Sequence, residues 1–347
     1  MLPAIRLHGR SSPFTLPRMD HDRNGSGRPG AILLAVEAAS VTREHVAQIA
    51  DLAPGREILV GPDADLAARD DRIEIGAGWL PPERLLALPG LRWFQQWAAG
   101  ADWLPDHPEA VDRDLLLTSA SGIAAPAVVE QALGYVLSIL RRLPQAWAAQ
   151  RERVWHKPPP DQFGELAGKT MLVAGLGAIG SRVARVAGAF DVRVLGVRRD
   201  PALPAPGVER VGGPGDLLEL LPEADVVVSA LPYTRETLHF FSATAFARMK
   251  PGAIFVSVGR GKVVDEAALA GALSSGRLAG AGLDVFETEP LPAASPLWSM
   301  SSVIMTPHWG AAFPARFERT MALFLDNLRR FRASEPLRNL VDKRRGY

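Results

Sequence analysis

From Ala31 onward, short apolar runs alternate with stretches whose apolar residues recur at helical spacing, the pattern of parallel strands wrapped by helices. The first runs predict strands at Ile32–Val36, Glu57–Val60, Leu91–Phe94 and Leu115–Thr118. A long helix is predicted from Pro126, a residue favoured at the first helical position, with Val129, Leu133, Val136, Leu137 and Leu140 along its apolar side. The segment Arg151–Leu166 holds Trp155 and three consecutive prolines (158–160) and has no period; it reads as an arm or linker. A second group of strands follows at Thr170–Ala174, Val192–Val197, Asp225–Ala230, Ala253–Val258, Ala279–Val285 and Val303–Met305. Helices are expected between them at Ile179–Phe190, around Phe246 and at Glu266–Ser274. A last helix, Ala315–Phe331, is long enough to return to the first group. The pattern therefore predicts an α/β protein of two doubly wound domains, the second inserted into the first.

Composition narrows the function classes. The 347 residues suit two domains, and 47% hydrophobic with 22% charged is a globular balance. A formal charge of +1 asks for neither nucleic acid nor an anionic membrane as partner. The absence of cysteine removes thiolate nucleophiles and thiolate-ligated metals, and it suits a reducing, cytoplasmic compartment. No metal is expected. Asp20–Gly30 is polar and Gly-rich, so residues 1–30 are expected to form a disordered extension. The acid-free stretch before it, with Arg6, Arg10 and Arg18, faintly resembles a transit peptide.

The strongest local signal is Gly175-Leu176-Gly177-Ala178-Ile179-Gly180, which follows one predicted strand and opens a helix. The first glycine permits a tight turn, the second lets backbone amides approach a pyrophosphate, and the third allows close helix–strand packing. The helix N-terminus then faces the phosphate charge. The next strand ends in Arg198-Arg199, where a dinucleotide site selective for NAD places an acidic residue to bind the ribose hydroxyls. Paired guanidiniums can grip a 2′-phosphate, so NADP(H) is favoured over NAD(H). The alternative leaves both arginines at the surface and gives the ribose to Asp200.

Three polar stretches stand at predicted strand ends, where open α/β sheets bind ligands: 257–265, 282–292 and 305–312. Reduction of a 2-oxo acid needs a cation to hold the carboxylate and polarise the carbonyl, and a proton donor for the developing alkoxide. A carboxylate beside the donor histidine fixes its tautomer and favours its protonated form. Arg260, His308 and Glu289 supply one of each. Trp93, Trp97 and Trp103 are read as packing residues rather than ligand contacts, and Trp309 as bounding the substrate or packing beside the interdomain connection.

These residues resemble the D-isomer-specific 2-hydroxyacid dehydrogenase family over nearly the whole chain from about residue 31. The resemblance rests on the Gly-rich loop, Leu231-Pro232 followed by Glu236-Thr237, Gly259-Arg260-Gly261 with Val264-Asp265, Leu283-Asp284-Val285-Phe286 leading to Glu289-Pro290-Leu291, and Thr306-Pro307-His308. It implies a Rossmann-type cofactor domain (125–311) inserted in a flavodoxin-like substrate domain (31–124 and 312–347). It implies Arg260 as substrate anchor, Glu289 as partner of the acid/base His308, and backbone amides of Ala99, Gly100 and Ala101 at the substrate carboxylate. At the cofactor it implies the loop residues Gly175, Gly177, Ala178, Ile179 and Gly180, then Arg198 and Arg199. Leu231, Pro232, Thr237, Val258, Gly259, Asp284, His308 and Gly310 complete that set, with Asp284 near the nicotinamide carboxamide. Arg198 departs from the family's usual acidic residue and points to the glyoxylate/hydroxypyruvate reductase branch. The expected partners are a small 2-oxo or 2-hydroxy acid and a second copy of the chain, docked through the cofactor domain. Other readings are an NAD-dependent D-2-hydroxyacid or phosphoglycerate-type dehydrogenase and, from another class, a dinucleotide-sensing corepressor-like scaffold.

Overall fold

The computed structural model describes residues 30–61 and 71–347. The expected extension therefore lies outside the described residues, Gly30 excepted. Contacts divide the chain into two compact units: one runs to Trp97 and adds Asp114–Thr118 and Glu318–Leu340, and the other holds Ala98–Arg113, Ser119–Phe317 and Val341–Tyr347.

The first unit carries five parallel strands, β1 Ala31–Ala35, β2 Ile58–Val60, β3 Ile73–Gly78, β4 Trp93–Gln96 and β5 Leu116–Thr118, in the order β2-β1-β3-β4-β5. This is the flavodoxin-like order. The pattern along the chain misses β3, because Gly76 and Gly78 break its apolar run. Gly78 has φ +125°, and a Cβ there would lie 2.3 Å from the Ala35 carbonyl oxygen, so close strand approach excludes a side chain. The helices of this unit are α1 Arg43–Leu52, α2 Pro82–Ala87 and most of the helix Arg316–Arg332. Thr42 caps α1: its hydroxyl accepts from His45 N, while His45 Nδ1 accepts from Thr42 N. That leaves Nε2 to carry the proton toward Glu318, 3.0 Å away, tying α1 to the last helix. Trp93 is fully buried, stacked on Phe324 and Phe331 of that helix at centroid distances of 5.4 and 5.2 Å. Its indole N–H donates to Thr118, whose hydroxyl donates to Gln95. The Gln95 oxygen also accepts from Asn327, closing a buried polar network. Trp93 is thus a core residue.

The second unit contains α3 Glu109–Asp112, α4 Ala125–Leu140, α5 Leu143–Glu152, α6 Ala178–Gly188, α7 Leu217–Leu220, α8 Ala243–Arg248 and α9 Glu266–Ser274, and the last helix, α10, begins in it. Its seven strands are β6 Thr170–Ala174, β7 Arg193–Val197, β8 Arg210–Gly212, β9 Val226–Ser229, β10 Ala253–Ser257, β11 Leu278–Leu283 and β12 Val303–Met305. All pair in parallel, in the order β12-β11-β10-β9-β6-β7-β8. The strand order reverses between β6 and β9, the crevice where doubly wound sheets bind dinucleotides. The inner strands β6, β9 and β10 are buried along their whole length because both faces of the sheet are covered there. Val128 and Val136 of α4 and Val183 of α6 meet Val173, Val228 and Val256 on one side. Phe246 of α8 and Leu269 and Leu273 of α9 meet Leu172, Phe255 and Leu283 on the other.

Three expectations change. The edge strand β8 was not expected, having only three residues and an exposed arginine at its start. The arm expected from Arg151 begins instead inside α5, which buries none of its residues and so has no apolar stripe to detect. Ala98–Arg113, expected with the first sheet, joins the second unit, where Asp102 meets Arg260 and Arg113 O accepts from Lys343.

Candidate active site

The Gly-rich turn shows why each glycine stands where it does. Gly175 has φ +95°, and a Cβ on it would lie 2.8 Å from the Ala230 carbonyl oxygen at the end of β9. Gly180 is packed against the turn itself, its Cβ position only 1.9 Å from Gly175 O. Gly177 faces open space, with nothing within 4 Å of its Cβ position, and it is exposed together with Ala178. One crowded turn, one open approach and one tight helix contact fit a pyrophosphate laid against the N-terminus of the eleven-residue α6. We expect Gly177→Ala to keep its melting temperature but weaken NADPH binding, since the new methyl takes only the ligand's space. Gly180→Ala should lower both, because overpacking against backbone typically costs about 1–3 kcal/mol. Thermal melts and NADPH fluorescence titrations separate the two.

At the end of β7, Arg198 is half-buried and has no ion-pair partner among the described residues. The Arg199 guanidinium lies 4.9 Å from the Tyr347 ring centroid. Asp200 turns back on its own loop and accepts from Ala202 N. The Glu236 carboxyl is held below its ordinary range, first by the Thr234 hydroxyl, with the charges of Arg199 and Arg235 adding to the effect. Thr237, expected at the cofactor, uses its hydroxyl within its own loop: it accepts from Thr234 N and donates to Pro232 O. Leu231 and Pro232 are half-buried beside it, while Val258 is buried and Gly259 O accepts from Arg260 Nη1.

The three polar strand ends form two clusters. After β10, Arg260 Nε donates to Asp102 Oδ2 at 2.5 Å, beside Gly100, with exposed Ala99 and buried Ala101 on either side. After β11 and β12, Glu289 Oε2 lies 2.7 Å from His308 Nδ1, and Glu289 Oε1 accepts from Phe286 N. The two clusters abut, since a Cβ on Gly261 would lie 1.8 Å from Phe286 O. His308 adopts φ +51° in the turn after β12. Asp284, only 3% exposed, holds that turn: its carboxylate accepts from Thr306 Oγ1 at 2.5 Å, Trp309 N at 3.1 Å and Gly310 N at 2.9 Å. Its backbone oxygen accepts from His308 N. Trp309 itself is exposed.

Sequence reasoning missed Asp102 and also a chain reaching Asp284 from α4. Gln131 donates to the Tyr135 hydroxyl, which shares a short hydrogen bond with Thr306 Oγ1. Burial pushes the Tyr135 phenol up. The available signal was a tyrosine on the apolar side of α4, whose buried hydroxyl needs a partner.

Similarity to known proteins agrees with this geometry. The D-isomer specific 2-hydroxyacid dehydrogenase, NAD binding domain, matches residues 133–310. A glyoxylate reductase of Korarchaeum cryptofilum is 36% identical over 263 residues, 74% of this chain and 78% of that protein. A D-isomer specific 2-hydroxyacid dehydrogenase from Xanthobacter autotrophicus Py2, solved with NADPH and MES, superposes with TM-score 0.77 at 32% identity, covering 92% of this chain and 99% of that one. The NADPH-dependent glyoxylate/hydroxypyruvate reductase from Sinorhizobium meliloti, solved with NADP and sulfate, gives 0.78 at 28% identity, covering 92% and 100%. The chain belongs to the D-isomer-specific 2-hydroxyacid dehydrogenase family, NAD(P)-dependent oxidoreductases that interconvert small 2-oxo and 2-hydroxy acids.

Proposed function

We propose that this protein reduces glyoxylate and hydroxypyruvate, with NADPH as preferred cofactor. The observation that carries the chemistry is the 2.7 Å contact of Glu289 Oε2 with His308 Nδ1. It holds a proton on Nδ1 and leaves Nε2 to deliver one to the substrate oxygen. Arg260 holds the carboxylate and polarises the carbonyl, aided by the amides of Ala99–Ala101. Asp284 keeps His308 in place through its bonds to the 306–310 turn. When bound, the nicotinamide supplies the hydride, and the residues that would hold the dinucleotide are the Gly175–Gly180 turn, Arg198 and Arg199. The relatives named glyoxylate reductases and the NADPH-bound neighbours support the same assignment.

The cofactor preference rests on Arg198 and Arg199, a pair of cations that directly follow the strand, whereas Asp200 turns back on its own loop to accept from Ala202 N. Loss of NADPH absorbance with glyoxylate, run beside NADH, tests it. The double variant Arg198→Ala/Arg199→Ala should weaken NADPH by roughly 10–100-fold, the worth of lost charge-assisted bonds, and leave NADH nearly unchanged. Equal turnover with both cofactors in the parent protein would overturn the preference and keep the chemistry.

The second copy of the chain is part of the same reading. Trp147, Val154 and Trp155 are exposed on and just after α5, with Trp155 97% exposed, an apolar surface that a lone copy would leave in water. A dimer closed through this segment would weigh twice the 37.3 kDa chain. Light scattering after size-exclusion chromatography should report that mass, and Trp155→Glu should return it to the single-chain value.

A further inference from the structure

The geometry points to Asp102 as a positioning residue that clamps Arg260 and sets which of its donors meets the substrate carboxylate. This rests on the reading of Arg260 as the carboxylate anchor and adds a residue to it. A guanidinium has five N–H donors in one plane, and an unrestrained side chain presents them in many orientations. Here two edges are already committed. Arg260 Nε donates to Asp102 Oδ2 at 2.5 Å, and Nη1 donates to Gly259 O at 2.8 Å. With the plane fixed at two points, Nη2 is left without an acceptor among the described residues and is turned toward Gly100.

Two further observations make this clamp a built feature. Asp102 sits in a hydrogen-bonded turn, with Leu104 N donating to Ala101 O at 3.0 Å and Asp106 N donating to Trp103 O at 3.1 Å. The space for the clamp exists only because residue 100 is glycine: a Cβ there would lie 2.1 Å from Arg260 Nη2 and 2.7 Å from Asp102 Oδ2. The loop therefore supplies a carboxylate on one edge of the guanidinium and a bare backbone on the next. An ordered, half-neutralised arginine loses less freedom when it takes up a carboxylate than a mobile one would. The rival role for Asp102 is a cap that competes with the substrate for Arg260, and it predicts effects of opposite sign.

The test compares the parent protein with Asp102→Ala, Asp102→Asn, Arg260→Ala and the double variant Asp102→Ala/Arg260→Ala. The readouts are glyoxylate kinetics with NADPH, oxamate binding to the NADPH complex by fluorescence, NADPH affinity and melting temperature. Asp102→Ala should weaken oxamate and lower kcat/KM by roughly 10–100-fold, with NADPH affinity and melting temperature unchanged. Asp102→Asn should recover part of that loss, because its amide oxygen can still accept from Nε. Asp102→Ala should add nothing once Arg260 is alanine. Tighter oxamate binding in Asp102→Ala would show a competing cap and overturn the clamp, as would unchanged oxamate binding. A loss accompanied by a lower melting temperature and weaker NADPH would make Asp102 merely structural and overturn it too. Oxamate binding that survives Arg260→Ala would instead sink the anchor reading beneath it, and the two failures are told apart by that variant alone.

Discussion

Arg260→Ala is expected to lower kcat/KM for glyoxylate by roughly 10²–10³ while NADPH binds as in the parent protein. The guanidinium stands in the loop after β10, neighbour in the sheet to β9 and β11, and is held at Asp102; in the proposed reading it meets the substrate rather than the dinucleotide. Removing it takes away both the charge that holds the carboxylate and the donor that polarises the carbonyl, so KM should rise and kcat should fall together. Arg260→Lys should recover little, since an ammonium cannot reproduce a planar guanidinium held at Asp102 and Gly259 O. Steady-state kinetics beside an NADPH titration make the check. Loss of NADPH binding in Arg260→Ala would move this residue from the substrate to the cofactor.

The other large effect is on proton transfer. His308→Gln should reduce kcat by roughly 10²–10⁴, or about 2.7–5.4 kcal/mol of barrier, with modest change in KM. Glutamine keeps a polar side chain of similar reach, and its amide could still donate to Glu289, so the turn held by Asp284 should survive. What it cannot do is pass a proton to an alkoxide near neutral pH. Glu289→Gln removes the carboxylate that orients Nδ1, so its loss should be smaller than that of His308→Gln, and combining the two should add little. Near-parental turnover in His308→Gln would take this histidine out of the mechanism. Circular dichroism and melting curves on the same samples confirm that the variants remain folded.

Much of the fold was legible because the sheets impose one-dimensional rules. Strands covered on both faces are largely apolar, so Thr170–Ala174 could be bounded to the residue, and the half-buried edge strand Val303–Met305 was marked by its short apolar run. Helix α9 was equally plain, since Asp265 caps it through Ala268 N. The Gly-rich turn was legible for the same kind of reason: each glycine answers a local steric demand of a strand–turn–helix. Elements that satisfy no local rule were lost. β3 carries glycines where neighbouring strands come close, β8 is a three-residue edge, and α5 buries nothing.

The sequence by itself determined which residue types stand at the strand ends, because a doubly wound sheet delivers every such loop to one rim whatever the details of packing. Arg260, Glu289 and His308 could therefore be singled out by chemistry and order alone. Only the tertiary structure decided what holds them. Asp102 is 158 residues from Arg260, and Tyr135 is 171 from Thr306, separations that no local pattern encodes. It likewise gave Asp284 three hydrogen bonds to the His308 turn, a role its position after a strand does not announce. The physical reason is that periodicity and turn chemistry act over a few residues, whereas the orientation of a side chain in a site depends on partners brought near only when the chain folds.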